Sequence, residues 1–191
     1  MENALPMSQS TLLSAVLPIA YPLDEFYALA GLTLPAIEAV PGEAVPEPYK
    51  SLLVHQDDMT PTLEKFHRDS VHLRVLRRQR REDAYFREVV LVTDMEERPV
   101  EFGAIKINLL LFTPKARQEI LEERLPLGHI LQECGVTHTS RPKAFLRLRS
   151  DAFINAALQL AGEHELYGRR NTLWDPQQRP LAEIVEILPP A

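Results

Sequence analysis

The first chemical feature of this 191-residue chain is a single arginine set among strand-forming apolar residues. Residues 84–112, AYFREVVLVTDMEERPVEFGAIKINLLLF, read as two long strands joined by the charged turn Met95-Glu96-Glu97-Arg98-Pro99. Strand alternation places Tyr85, Arg87, Val89, Leu91 and Thr93 on one face and Phe86, Glu88, Val90 and Val92 on the other. A guanidinium on such an apolar face must find an anion, because an unpaired buried charge is costly. Two partners fit. One is a carboxylate of the protein, the commoner outcome for a buried arginine; the other is a ligand carboxylate gripped by the planar fork of donors. Near the C-terminus, Glu183 and Glu186 lie three residues apart and so face opposite sides of an unbroken strand. Both sides are apolar, and periodicity does not select between the two acids.

Other chemistries leave no mark. The chain has neither GxGxxG nor GxxxxGK[ST]. His164-Glu165 lacks the second histidine of HExxH, and no GxSxG elbow occurs. The remaining histidines (His55, His67, His72, His129, His138) and Cys134 show no metal-ligand spacing. The expectation is a protein without cofactor or metal, limited to binding, proton transfer and electrostatics. Arg77-Arg78-Gln79-Arg80-Arg81 is followed at once by Glu82 and Asp83, with no aromatic interleaved, and reads as a solvated hairpin tip rather than a nucleic-acid patch.

The elements that must position these residues follow from pattern and punctuation. Residues 49–55 predict a short helix, and Thr60-Pro61 a helix start with a hydroxyl cap and proline at the first position. Residues 70–80 alternate as a strand leading into the central hairpin. Thr113-Pro114 repeats the start signal for a helix to about 123, a second helix covers 129–134, and Gly135 stops it. Residues 136–150 predict a strand, 151–160 a short helix, and 166–175 with 181–188 a closing hairpin. About six strands joined mainly by hairpins, with helices inserted, define an α+β fold on an antiparallel sheet.

A chain of this length fits one domain and buries about 70% of its surface. A net charge of −6 argues against a general nucleic-acid binder. One cysteine rules out an internal disulfide and fits a reducing cytoplasm, with Cys134 a structural thiol. No Lys or Arg precedes Lys50, and seven of the sixteen prolines lie before it. Residues 1–48 therefore read as a proline-rich acidic extension with one short helix, draped on the domain or mobile, with a linker at 41–48, that adds little to a domain spanning 49–191. The apolar run 11–17 lacks a basic flank and is too short to cross a bilayer.

Several short motifs, in order, resemble the chorismate pyruvate-lyase family: Leu52-Leu53, Asp58-Met59-Thr60, Phe86-Arg87-Glu88-Val89, Pro126-Leu127-Gly128, Tyr167-Gly168-Arg169-Arg170 and Glu186-Ile187-Leu188-Pro189. The likeness covers roughly residues 49–190. It implies a six-stranded antiparallel sheet carrying helices, and a cofactor-free elimination that turns chorismate into 4-hydroxybenzoate and pyruvate. It also implies that Arg87 grips the ring carboxylate, that the Leu127 N–H reaches the same carboxylate, that Glu186 is the acid near the ring hydroxyl, and that Met59 belongs to a flap over the pocket. Arg87 and Glu186 would then be the catalytic residues, with Glu186 a base or only a hydrogen-bond acceptor. Arg169 and Arg170 read as outer ion-pair residues. The extension, the region 136–162 and a longer last turn depart from the family pattern.

The partner expected on this reading is chorismate, a small dianion, bound by a monomer or small homo-oligomer, with no nucleic acid and no membrane span. Two other classes stay open. The same fold serves as the effector-binding domain of some transcription regulators, so a silent binder of an aromatic acid fits as well, although no helix-turn-helix segment precedes residue 49. A purely structural interaction protein is the third.

Overall fold

The computed structural model describes residues 17–191. Its elements run α1 (Leu23–Leu29), β1 (Ile37–Val40), α2 (Tyr49–Leu53), α3 (Met59–His67), β2 (Val71–Arg81), β3 (Ala84–Thr93), β4 (Pro99–Asn108), α4 (Pro114–Glu122), α5 (Leu127–Glu133), β5 (Thr139–Arg149), α6 (Ala152–Leu158), β6 (Glu165–Trp174) and β7 (Pro180–Leu188). The strands form one antiparallel seven-stranded sheet in the order β1-β5-β6-β7-β4-β3-β2. The α+β antiparallel architecture is the one expected from the sequence, with β1 as the added strand. Among the described residues no helix is long and apolar enough to cross a membrane.

Both faces of the sheet are covered, which explains why β3 and β4 are buried at nearly every position. On one face Phe86, Val90 and Val92 of β3 and Phe102 and Ala104 of β4 pack with residues of α1 and α6. On the other, α4 and α5 cover Tyr85, Ile105 and Ile107, while α2 and α3 cover Leu91 and Val71. Alternation in β3 thus sorts the side chains as the sequence predicts. Arg87 falls on the second face, between the two apolar clusters.

The boundary at residue 48 requires correction from residue 17 onward. Leu23, Phe26 and Tyr27 recur at helical spacing and are at most 2% exposed. Tyr27 Oη donates to Asp151 Oδ2 at 2.9 Å, and its ring meets Phe153 edge-on with centroids 5.5 Å apart. β1 pairs with β5, Ile37 opposite Leu148 and Val40 opposite Phe145, and Val45 is buried among α2 and α3 residues. Low charge and many prolines suggest a linker; the same low charge is what lets this segment bury apolar surface. The remainder of the apolar run, residues 11–16, lies outside the described residues.

Two helix starts differ from expectation in an instructive way. Thr113 caps α4 as read, its hydroxyl accepting from the Ala116 N–H at 3.3 Å with Pro114 in the first turn. Thr60 does not cap. α3 begins at Met59, with Asp58 in the cap position, and Pro61 falls within the first turn, where its missing N–H is not needed. α5 likewise begins at Leu127 rather than His129. In the basic run, Arg77, Arg78 and Arg81 pair with Glu88, Glu123 and Glu25.

Glu88 is fully buried beside α1, on the face opposite Arg87. Arg77 Nε stands 3.2 Å from its Oε2, yet neither carboxylate oxygen has an aligned donor among the described residues. Burial, only partly offset by Arg77, pushes this carboxyl from 4.5 up to about 7. The folded-state value is raised, so Glu88 supports the fold below pH 4.5 and that support is lost as pH rises toward 7. Urea unfolding from pH 4 to 8 is expected to show a smaller decline for Glu88→Gln than for the parent, by at most about 3 kcal/mol. Parallel curves would refute the buried, protonated carboxyl.

A candidate carboxylate-binding cavity

On the face covered by α2–α5, side chains two apart on neighbouring strands converge. Arg87 of β3 lies opposite Ile105 of β4, which lies opposite Ile184 of β7, which lies opposite Asn171 of β6. The next row runs Val89, Gly103, Glu186, Arg169. These rows floor a cavity that is partly open to solvent. Met59 and Thr60 from the start of α3, and Pro126, Leu127 and Gly128 from the start of α5, form its walls. Gly128 makes that closure possible: a Cβ there would lie 2.7 Å from Thr60 Oγ1. Gly103 is required for sheet closure, since its Cβ would sit 2.7 Å from the Val185 carbonyl oxygen.

All four residues singled out from the sequence, Met59, Arg87, Leu127 and Glu186, line this one cavity. Arg87 is 1% exposed, and its Nε and Nη1 have no hydrogen-bond partner among the described residues. No carboxylate oxygen comes within 4 Å of it there, so the internal ion pair that buried arginines usually find is not made. The acid that raises its basicity is Glu123, after Tyr85, but that carboxylate is held by Tyr85 Oη and by Arg78 Nη1 at 2.5 Å. Burial lowers Arg87 from 12.5 to about 10, which leaves it charged at neutral pH.

Glu186 is differently placed. Arg169 lies directly across from it on β6 and donates from Nε to its Oε2. Arg169 also donates to the backbone oxygens of His55 at 3.4 Å and Asp57 at 3.1 Å, tying the segment before α3 to the sheet. The expectation of an outer ion-pair residue fails for Arg169, which is fully buried, whereas Arg170 does form an ion pair, with the partly buried Glu183 on the opposite face. The choice that periodicity leaves open between the two acids is settled by register, which puts Glu186 in the cavity and Glu183 beside Thr172. At the mouth, Asp58 pairs with His138 at 2.9 Å, and that hydrogen bond raises the imidazole above its ordinary value.

Two further cavity residues carry no signal in the sequence. Glu101 belongs to no recognisable motif, yet it is 5% exposed in β4 and lines the cavity. Two residues beyond Pro99 and the charged turn, an acid reads as strand-end polarity. Only the β3–β4 register, with Leu91 opposite Glu101, turns it inward. Asn171 gives its amide N–H to Ser140 Oγ at 2.9 Å and leaves Oδ1 buried without a donor.

No protein-family model matches the chain, and no curated protein matches it in sequence. Solved structures do share its fold. PhnF from Mycobacterium smegmatis aligns with a TM-score of 0.55 at 12% identity, over 90% of this chain and 94% of that one. The effector domain of PhnF from the same organism aligns at 0.52 and 13%, over 69% and 87%. A GntR-family transcriptional regulator from Bacillus cereus aligns at 0.44 and 14%, over 63% and 92%. The class defined here is an α+β domain with the antiparallel sheet of such effector domains. The expectation of chorismate pyruvate-lyase activity is corrected by these neighbours: the fold they share with this chain is that of a protein named for its effector domain, so the likeness gives no support to catalysis. Among the described residues the cavity lining holds one basic side chain, Arg87, and the acids Asp58, Glu101 and Glu186.

Proposed function

We propose that this chain is a non-catalytic binding domain for a small aromatic carboxylate, an effector-sensing unit of this fold. The observation that carries the reading is Arg87, a buried guanidinium in the cavity floor with donors unpartnered among the described residues. A ligand carboxylate would supply the missing anion, in the bidentate geometry a guanidinium favours. The Leu127 N–H, at the first turn of α5, would add a donor from the wall. Leu73, Val89, Leu91, Leu131 and Leu173 would sandwich a ring between apolar surfaces, with Met59 closing over it. Glu186, engaged by Arg169, would serve as a fixed acceptor rather than a base, and the Arg169 bonds to residues 55 and 57 would report its state to the segment before α3.

Calorimetric titration with benzoate and 4-hydroxybenzoate tests this reading. Saturable one-site binding of these acids, with chorismate left unconverted, is expected. Formation of 4-hydroxybenzoate from chorismate, followed by its ultraviolet spectrum, would overturn the non-catalytic reading; absence of any binding would overturn the site.

A further inference from the structure

Glu101 is the one acid of the cavity that nothing among the described residues neutralises. Asp58 has His138 and Glu186 has Arg169, whereas no cation lies within 4 Å of Glu101 among the described residues. Its Oε2 is buried without a hydrogen-bond partner there. The side chain lies over Gly103: a Cβ on that glycine would come 3.4 Å from Glu101 Oε1. Gly103 stands opposite Glu186 in the β4–β7 ladder, so the two carboxyls share one end of the cavity floor. Arg87 is at the other end. It lies opposite Ile105, while Glu101 lies opposite Leu91, four residues further along β3, a separation of roughly 13 Å along the strand.

Burial first, and then the negative charge of Glu186, push the Glu101 carboxyl well above the usual carboxylate range, with Arg169 opposing. A carboxyl that keeps its proton has one O–H to donate and oxygens left to accept. A second ligand carboxylate arriving there would meet Glu186, and no free cation of the described lining could neutralise it.

We propose that Glu101 determines specificity at the end of the cavity remote from Arg87, accepting a ligand that carries one carboxylate and an uncharged hydroxyl or amine across the ring, and rejecting a dicarboxylate. The proposal rests on the aromatic-carboxylate reading of the same cavity. It adds a residue that the family resemblance leaves unassigned and a charge limit on the ligand.

The test is calorimetry with three probes: benzoate, 4-hydroxybenzoate and benzene-1,4-dicarboxylate. The parent protein is expected to bind 4-hydroxybenzoate at least about tenfold more tightly than benzoate, the worth of one good hydrogen bond, and to show no dicarboxylate binding. Glu101→Leu should bring the ratio of the two monocarboxylates close to one. Glu101→Gln, which keeps a donor and an acceptor, should restore the preference and guards against misfolding of the leucine variant. The proposal fails if Glu101→Leu keeps the parent's hydroxyl preference, or if the parent binds the dicarboxylate as tightly as 4-hydroxybenzoate. If none of the three probes binds the parent, the carboxylate reading itself is wrong and this inference goes with it.

Discussion

Arg87→Met is expected to raise the melting temperature of the ligand-free protein and to abolish its binding of aromatic carboxylates. The two effects have one cause. An arginine that is 1% exposed, with Nε and Nη1 unpartnered among the described residues, is desolvated without compensation until an anion arrives. Replacing buried charge by an apolar side chain of similar length stabilises proteins by roughly 1–4 kcal/mol where it has been compared. In a domain of this size each 1 kcal/mol corresponds to about 2–4 °C. Loss of the guanidinium should weaken 4-hydroxybenzoate binding by at least about 100-fold, consistent with the worth of charged hydrogen bonds. Thermal unfolding and calorimetry on the same samples check both halves. A variant that is less stable than the parent would mean that Arg87 already has a satisfying partner within the protein.

The second large effect concerns the N-terminal segment. A chain beginning at Pro46 is expected to be insoluble or unfolded. It would lose Leu23, Phe26 and Tyr27, each worth about 1.5–3 kcal/mol when buried, together with the β1 edge of the sheet. The summed loss is comparable to the whole stability of an ordinary domain, about 5–15 kcal/mol. Phe26→Ala gives the graded version, an expected cost of about 3–5 kcal/mol by urea unfolding. A truncated protein that unfolds cooperatively near the parent's melting temperature would show that α1 and β1 are dispensable.

Much of the sheet is legible in the sequence because its signals are local. The β3 alternation predicts which residues share a face, and the polar turns after Thr93 and Trp174 fall where charge and proline cluster. The Thr113 cap is legible for the same reason, whereas the Thr60 signal misleads because Asp58, two residues earlier, offers an equal start. Residues 17–48 escape a reading that weighs composition before period: LDEFYAL carries its apolar residues at helical spacing, inside a stretch that otherwise resembles a linker. The site divides along similar lines. That Arg87 needs an anion follows from its place in a strand, but that no carboxylate of the described residues reaches it depends on Glu123 being taken by Tyr85 and Arg78, elements far apart in sequence. Arg169 and Glu101 acquire meaning only through register, one opposite Glu186 and the other folded over Gly103.

The central claim is that Arg87 waits in the cavity for a carboxylate, and side-chain nitrogen NMR reads this most directly. The Nε–H resonance of Arg87, assigned by its disappearance in Arg87→Met, is predicted to shift saturably as 4-hydroxybenzoate is added and to stay in place when 4-hydroxybenzyl alcohol, which lacks the carboxylate, is added instead. An Arg87 resonance that ignores the acid, or responds equally to the alcohol, would contradict the claim.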